Sequence, residues 1–382
     1  MTNTATVLTE CPRCVMNGTA ADFALDGEGG CNYCAPFLRG RPAATSSAAR
    51  AAALAGWIER IKAEGRGKPY DCVVGLSGGA DSSYVLLKAK DLGLRPLAVH
   101  FDNGWNSELA VKNIENLVKK LGVDLHTDVV DWEEFRDLQR SFFKAHVVDI
   151  ELLTDNAMLA SNYIAARRHG VRTILGGTNS ATEGLRMPSG WNHALKWDAV
   201  NIRDIQRRFG SRPIKTMPIL GTWGYVYHRV VRRIAWVSLL DFMDYNKAAC
   251  VEELTRRVGY RPYPYKHYES VFTRFYQGHI LPRKFGVDKR RVHLSALVCN
   301  GQMDRAEARR LLEASPYPDP ALEAADREFF LKKLGFTSQE FDAYLAAPAV
   351  PHESYATEAG RWRRLRRVGR WLRRADREGA RP

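Results

Sequence analysis

The sequence predicts an α/β protein: a doubly wound parallel sheet, preceded by a zinc-ribbon-like segment and followed by a helical C-terminal region. Three observations predict it. Short apolar runs alternate with amphipathic segments from Pro69 to about Gly177, which is the rhythm of strand–helix–strand units. Two C-x-x-C pairs stand close together before residue 35. Beyond about Ser211, strand signals thin out and aromatic, basic, helix-like segments take over.

Residues 1–44 contain "CPRC" at Cys11 and Cys14 and "CNYC" at Cys31 and Cys34, with 16 residues between the pairs. Four thiolates at this spacing complete a tetrahedral zinc site with no open position, so the metal is expected to be structural. The segment is too short for an apolar core of its own and needs that metal to hold its shape. Cys72, Cys250 and Cys299 stand alone, and an odd total argues against a disulfide framework. Residues 45–69 read as a linking helix, with Leu54, Trp57, Ile58 and Ile61 at three- and four-residue spacing.

Residues 70–210 form the expected sheet domain. "DCVVGL" (71–76), "RPLAVHF" (95–101), "DLHTDVV" (124–130) and "VRTILGG" (171–177) read as strands. "SSYVLLKAKDLG", "SELAVKNIENLVKKLG" and "NAMLASNYIAARRHG" read as helices closed by glycine. Residues 211–345 form the helical region, with helices expected around Arg305–Leu312 and Ala324–Leu334, and residues 346–382 a basic tail. Pro282 and Gly286 in "HILPRKFGVDKRR" predict a shaped loop.

Between the first strand and its helix stands "GLSGGADSS". Glycines allow close backbone approach to phosphate, and the helix that follows offers free N–H groups at its positive end. No lysine follows the second glycine, which excludes the loop that grips a γ-phosphate, and Ala80-Asp81-Ser82 excludes a dinucleotide fingerprint.

This SGGxDS pattern resembles the PP-loop of the ATP pyrophosphatase superfamily, whose domain is adenine nucleotide α-hydrolase-like. The resemblance implies that Ser77, Gly78, Gly79, Asp81 and Ser82 cradle the β,γ-pyrophosphate of ATP, with Asp81 and Ser82 catalytic. It places Asp102 and Asn103, after the second strand, near the adenosine. Gly177, Thr178 and Asn179 join the nucleotide site, and Glu183 is the expected magnesium ligand; a helix N-cap is the alternative role for this stretch. "CPRCVMNGTA", "GGCNYC", "YDCVVGLSGGADSSYVL", "AVHFDNGWNSELAVKNIENL", "WDAVNIRDIQRRFG" and "ESVFTRFYQGHILPRKFGVDKRRVHLSALVCNGQMDRAEA" together resemble the N-acetyl sugar amidotransferases of bacterial surface polysaccharide (lipopolysaccharide and O-antigen) biosynthesis. The resemblance runs from Cys11 to Leu312. It implies ATP, Mg2+ and structural Zn2+ as cofactors and a nucleotide-linked acetamido sugar as substrate. It also implies two partners: a separate glutaminase subunit supplying ammonia, and a cyclase-like companion. Met1-Thr2 provides no N-terminal cysteine nucleophile, consistent with ammonia from outside the chain.

Cations are needed where pyrophosphate departs. Lys284, Lys289 and Arg290 are the catalytic candidates, with Arg283 and Arg291 beside them; a solvated basic loop is the alternative reading. Trp191, Trp197, Tyr263, Tyr265 and Tyr268 are candidates to stack on sugar or base, with core packing the more common role for each. His193 and His293 are candidate proton carriers. The competing function is tRNA thiolation by the same superfamily, which calls for a cysteine pair that the lone cysteines do not make.

The net charge of +14 is uneven: residues 361–382 hold ten arginines against Asp376 and Glu378. Over the remaining residues the charge is unremarkable for a phosphate-handling protein, and no nucleic acid is expected. In the tail, Leu365, Val368 and Leu372 fall on one face of a candidate helix flanked by Trp362 and Trp371, a pattern suited to peripheral contact with an anionic inner-membrane surface; a disordered, solvated tail is the equal alternative. No apolar run approaches membrane-spanning length, so a cytoplasmic location is expected.

Overall fold

The computed structural model describes residues 9–40, 46–264, 268–317 and 319–367. Isolated bridges Glu10–Asn17 and Leu25–Cys31 shape the cysteine segment, which runs into α1 (Cys34–Gly40) and then α2 (Ser47–Gly65). The sheet domain follows as β1 (Cys72–Gly75), α3 (Ala80–Asp91), β2 (Pro96–Asp102), α4 (Glu108–Leu121), β3 (Leu125–Val129), α5 (Trp132–Lys144), α6 (Leu152–Arg168), β4 (Thr173–Gly176), α7 (Ser180–Glu183), α8 (Ala199–Phe209) and α9 (Thr222–Val226). A wide helical turn (Tyr227–Val231) continues α9 into β5 (Ala235–Ser238). Then come α10 (Lys247–Val258), α11 (Val271–Phe275), a second wide turn (Tyr276–Phe285), α12 (Arg290–Cys299), α13 (Arg305–Glu313), α14 (Pro320–Leu334) and α15 (Ser338–Ala346).

The five strands pair in parallel in the order β3-β2-β1-β4-β5. β1 is buried along most of its length between β2 and β4, as its unbroken apolar run requires. β3 lies at the edge and alternates between exposed and half-buried residues. The helix ends follow local chemistry. Ser107 accepts the Ala110 amide and Asp131 the Glu134 amide, while Gly122 closes α4 with φ +57.

Two segments differ from the sequence reading. β5 comes from beyond Gly210, within the region whose residues read as helical. It is no shorter than β1 and β4, but it follows an arginine-rich turn and stands outside the strand–helix alternation that makes those two legible. Pro282 also does not end its helix: the wide turn runs through it and stops at Gly286, φ +64. Longer-range bonding in such a turn leaves room for a residue without an N–H. The membrane-facing reading of the tail rests largely on residues 368–382, outside the described residues.

The connection after α8 is fixed by a buried carboxylate. Glu134 on α5 accepts the amides of Lys215 (3.0 Å), Thr216 (3.0 Å) and Met217 (2.9 Å). Burial pushes its acidity down, but those three amides and the Thr216 hydroxyl outweigh it and hold the carboxyl below its ordinary 4.5. Its stabilising contribution is therefore present above pH 4.5 and lost as pH falls through the depressed value. Glu134→Gln is expected to cost about 1–3 kcal/mol at pH 7. In urea titrations the gap to wild type should narrow as the pH is taken progressively below 4.5, and a gap independent of pH would contradict the assignment.

Candidate functional site

The loop after β1 and the loop after β4 leave the sheet at the point where strand order reverses, the crevice where open parallel sheets bind ligands. Gly78 has φ +82, and a Cβ there would lie 3.2 Å from both Cβ and O of Ala110 on α4. Only glycine fits. The Ser77 and Ser82 hydroxyls lie 3.1 Å apart, Ser82 Oγ accepts the Ser77 amide at 3.2 Å and donates to Gly79 O at 3.2 Å. These bonds tie the loop from within. Gly79 caps α3 without a side-chain bond, leaving first-turn amides for an anion at the helix's positive end. Gly177 closes the other side, since a Cβ there would meet Ser82 N at 2.9 Å.

Distant segments complete the loop's surroundings. The Tyr245 hydroxyl donates to Asp81, and Lys247 Nζ, from the first residue of α10, reaches Asp81 Oδ1 at 2.8 Å. Burial, reinforced by the Asp81 charge, raises the Tyr245 hydroxyl well above its ordinary value, so it remains a donor. Tyr263 Oη donates to Gly78 O at 3.1 Å, and burial pushes this phenol up to about 12. The Glu269 carboxylate stands 3.3 Å from where a Cβ on Gly79 would be. Tyr245, Lys247 and Glu269 escaped the sequence reading. All three lie more than 160 residues from the loop; Tyr245 and Lys247 stand in a segment with no motif of its own, and Glu269 opens the ESVFTRFYQG stretch, where nothing local marks its proximity to the loop.

Asp102 and Asn103 do stand at the carboxyl end of β2, each committed to the turn that follows. Asp102 Oδ1 accepts the Gly104 amide (2.9 Å) and Asn106 Nδ2 (3.0 Å). Asn103 Oδ1 accepts the Trp105 amide, and its Nδ2 donates to Thr154 Oγ1 on α6 at 3.0 Å. His100 Nδ1 faces Leu76 O at 2.8 Å, so that nitrogen carries the proton. Thr178 Oγ1 lies 3.1 Å from Ser238 Oγ on β5, and Asn179, not Thr178 or Ser180, caps α7 through the Thr182 amide at 2.8 Å. Glu183 ends α7, half-buried.

The predicted cations, all in the C-terminal region, each have partners. Lys284 Nζ donates to the carbonyls of Tyr344 and Ala347, both at 2.6 Å, and burial lowers its basicity. Lys289 Nζ pairs with Glu151 at 2.6 Å, in front of α6. Arg290 grips Asp288 and the carbonyls of Leu311 and Ala314, Arg283 pairs with Glu323, and Arg291 donates to Val15 O. The partners described for these five lie away from the Ser77–Ser82 loop; Lys247 is the cation seen beside it among the described residues.

His193 is buried, with its amide on Asp149 and Nε2 3.0 Å from Asp198; His293 is half-buried on α12. Trp191 is buried in the core, and Trp197 stacks on Tyr225 at 4.1 Å. Tyr268 is buried under Arg274. Tyr265 lies outside the described residues.

The four cysteines converge. Their sulfurs lie within 4.8 Å of one another, all buried, with Cys11–Cys34 and Cys14–Cys31 at 3.8 Å and Cys31–Cys34 at 3.7 Å. A zinc tetrahedron with bonds of about 2.3 Å has sulfur–sulfur edges of about 3.8 Å. The donor set fits zinc in both kind and size. Bound there, the ion would supply only structural cross-linking.

Residues 71–193 match the family described as queuosine biosynthesis protein QueC, and residues 269–369 the family described as LPS biosynthesis protein WbpG-like, C-terminal domain. The chain joins a PP-loop domain to a WbpG-like C-terminal domain. Two solved structures share low similarity with it. The NMN synthetase of Francisella tularensis is 15% identical, covering 57% of this chain and 89% of that one with a TM-score of 0.29. A predicted subunit of tRNA methyltransferase from Methanocaldococcus jannaschii is 16% identical, covering 48% and 75% with a TM-score of 0.28. The comparison with curated proteins returned no match.

The WbpG-like match extends past Leu312, where the resemblance seen in the sequence ended, into the start of the basic tail. Its first residue is Glu269, beside Gly79 of the PP-loop. Its α12 and α13 also hold the cysteine segment. Ser295 Oγ accepts the Val15 amide at 3.2 Å, and Arg305 donates to the carbonyls of Cys14 (2.9 Å) and Cys11 (2.8 Å). Phe37 of α1 fills the space a Cβ on Gly184 would need, with Cε2 at 2.6 Å. The cysteine segment thus supports α7 and, through it, the loop after β4.

Proposed function

We propose that this protein is the ATP-using synthetase subunit of an N-acetyl sugar amidotransferase in lipopolysaccharide or O-antigen biosynthesis. The observation that carries the reading is the pairing, in one chain, of an intact SGGADS loop with a WbpG-like domain whose Glu269 abuts that loop. An amide carbonyl is a poor electrophile. Attack of the acetamido oxygen on the α-phosphorus of ATP releases pyrophosphate and leaves AMP bonded to that oxygen; ammonia then adds to the carbon, and AMP departs with the oxygen, giving an acetamidino group. The first-turn amides of α3 and Lys247 oppose the charge of the departing pyrophosphate, and a magnesium ion held by carboxylates such as Glu269 or Glu183 would add positive charge there. A separate glutaminase supplies the ammonia, with a cyclase-like companion as second partner.

The alternative, tRNA thiolation, needs an accessible nucleophilic thiol. Cys72 is fully buried in β1 and Cys250 is 1% exposed, with burial raising both thiols, which favours the amide-forming reading. The test is incubation with ATP, magnesium, ammonium and a panel of UDP- and CMP-linked acetamido sugars. One member should yield a product about one mass unit lighter together with AMP and pyrophosphate. Formation of ADP, or thiolation of added tRNA, would overturn the proposal.

A further inference from the structure

The helical segment 222–231 has a buried inner side and an exposed outer one. Thr222 and His228 point inward, and His228 stacks on Tyr163 of α6 at 5.1 Å. On the outer side, Trp223 is 59%, Tyr227 43%, Val230 66% and Val231 65% exposed. Spacings of four, three and one residue place all four on one stripe. Isolated exposed apolar residues are ordinary, but a contiguous stripe of this kind marks a surface that binds something.

Its surroundings are cationic. Arg167, Arg172, Arg232 and Arg233 are exposed and make no ion pair among the described residues. Three of them, Arg167, Arg172 and Arg232, line a pocket of about 180 Å³ together with Lys68. No Asp or Glu occurs from Asn156 to Arg172 or from Arg212 to Leu240. Arg233 has φ +55, a left-handed conformation in which glycine would cost less; the chain keeps a positive charge there despite the strain.

Position matters too. Arg172 directly precedes β4, and Arg232 and Arg233 precede β5, so the patch lies at the amino edge of the sheet, opposite the PP-loop. Trp362 packs edge-on against Tyr225 of α9 at 5.6 Å, on the side of the helix turned toward Trp197 and Tyr163 and away from the exposed stripe, so the stripe is left open by the C-terminal stretch's first described residues.

We propose that this face docks the protein on an anionic lipid surface, with Trp223, Tyr227, Val230 and Val231 entering the interface and the arginines facing phosphate headgroups. An aromatic and aliphatic stripe rimmed by unpaired arginine fits a headgroup layer better than nucleic acid, which offers no apolar phase. The PP-loop then faces away from the membrane and remains open to soluble substrates. This inference stands independently of the substrate proposed above.

The test is vesicle flotation of the full chain with phosphatidylglycerol/phosphatidylethanolamine vesicles and with phosphatidylcholine vesicles. Binding is expected to the anionic vesicles only and to fall in high salt. Arg232→Ser should weaken it about fivefold, as one interfacial arginine does. Arg233→Gly should weaken it similarly while raising the melting temperature, a combination that misfolding does not produce. The Trp223→Ser/Val230→Ser/Val231→Ser variant should no longer float. Wild-type flotation by these variants, or flotation lost only on truncation after Arg367, would overturn the proposal. So would patch variants that float normally but bind RNA or a glutaminase partner less well, since the face would then serve that partner.

Discussion

Asp81→Ala and Lys247→Met are each expected to lower pyrophosphate release by about 10²–10³-fold, the usual cost of removing one preorganised charge-stabilising group. Lys247 Nζ lies 2.8 Å from Asp81 Oδ1, and the Tyr245 hydroxyl meets the same carboxylate. Asp81 therefore holds the one cation found beside the loop among the described residues, and loss of either partner disperses the charge that pyrophosphate meets on leaving. Because the two residues act as a unit, the double variant should be little slower than the worse single one. Steady-state pyrophosphate release reads the effect, and thermal melts show whether the fold survives. A Lys247→Met enzyme within about twofold of wild type would remove Lys247 from the mechanism.

Metal removal is expected to have the larger effect on stability. Structural zinc in small peptides contributes an apparent free energy of about 10–16 kcal/mol, and the segment around Cys11–Cys34 has little core of its own. Cys14→Ser or Cys31→Ser should abolish one equivalent of bound zinc and lower the melting temperature. Turnover should fall as well, although both cysteines lie outside the nucleotide loops. Phe37 packs against Gly184 at the end of α7, and Arg305 holds Cys11 and Cys14 to the WbpG-like domain, so loss of the metal loosens the loop after β4. Unchanged melting in a metal-free variant, by elemental analysis and calorimetry, would contradict a structural role.

What could be read in the sequence was what is local. The SGGADS loop, the two C-x-x-C pairs and the four strands of the first half each lie within a short window, where periodicity and glycine placement report directly on backbone geometry. The rest is set by tertiary contact. Asp81 is local, but its partners Tyr245 and Lys247 arrive from α10 and the turn before it. Lys289 reads as a free cation in sequence, yet the fold brings Glu151 to it at 2.6 Å. His193 reads as a candidate proton carrier in sequence, and its neighbours there, Asp149 on its amide and Asp198 on Nε2, come from the fold. β5 is as short as β1 and β4 but stands outside the strand–helix alternation that marks them, and it is seen as a strand through its pairing with β4.

The central claim is that ATP activates the oxygen of an acetamido group. Label that carbonyl oxygen with ¹⁸O in the responsive nucleotide sugar, run the reaction with ATP, magnesium and ammonium, and weigh the AMP. The account predicts one ¹⁸O in AMP and none in pyrophosphate. Unlabelled AMP, or ¹⁸O appearing in inorganic phosphate alongside ADP, would contradict it.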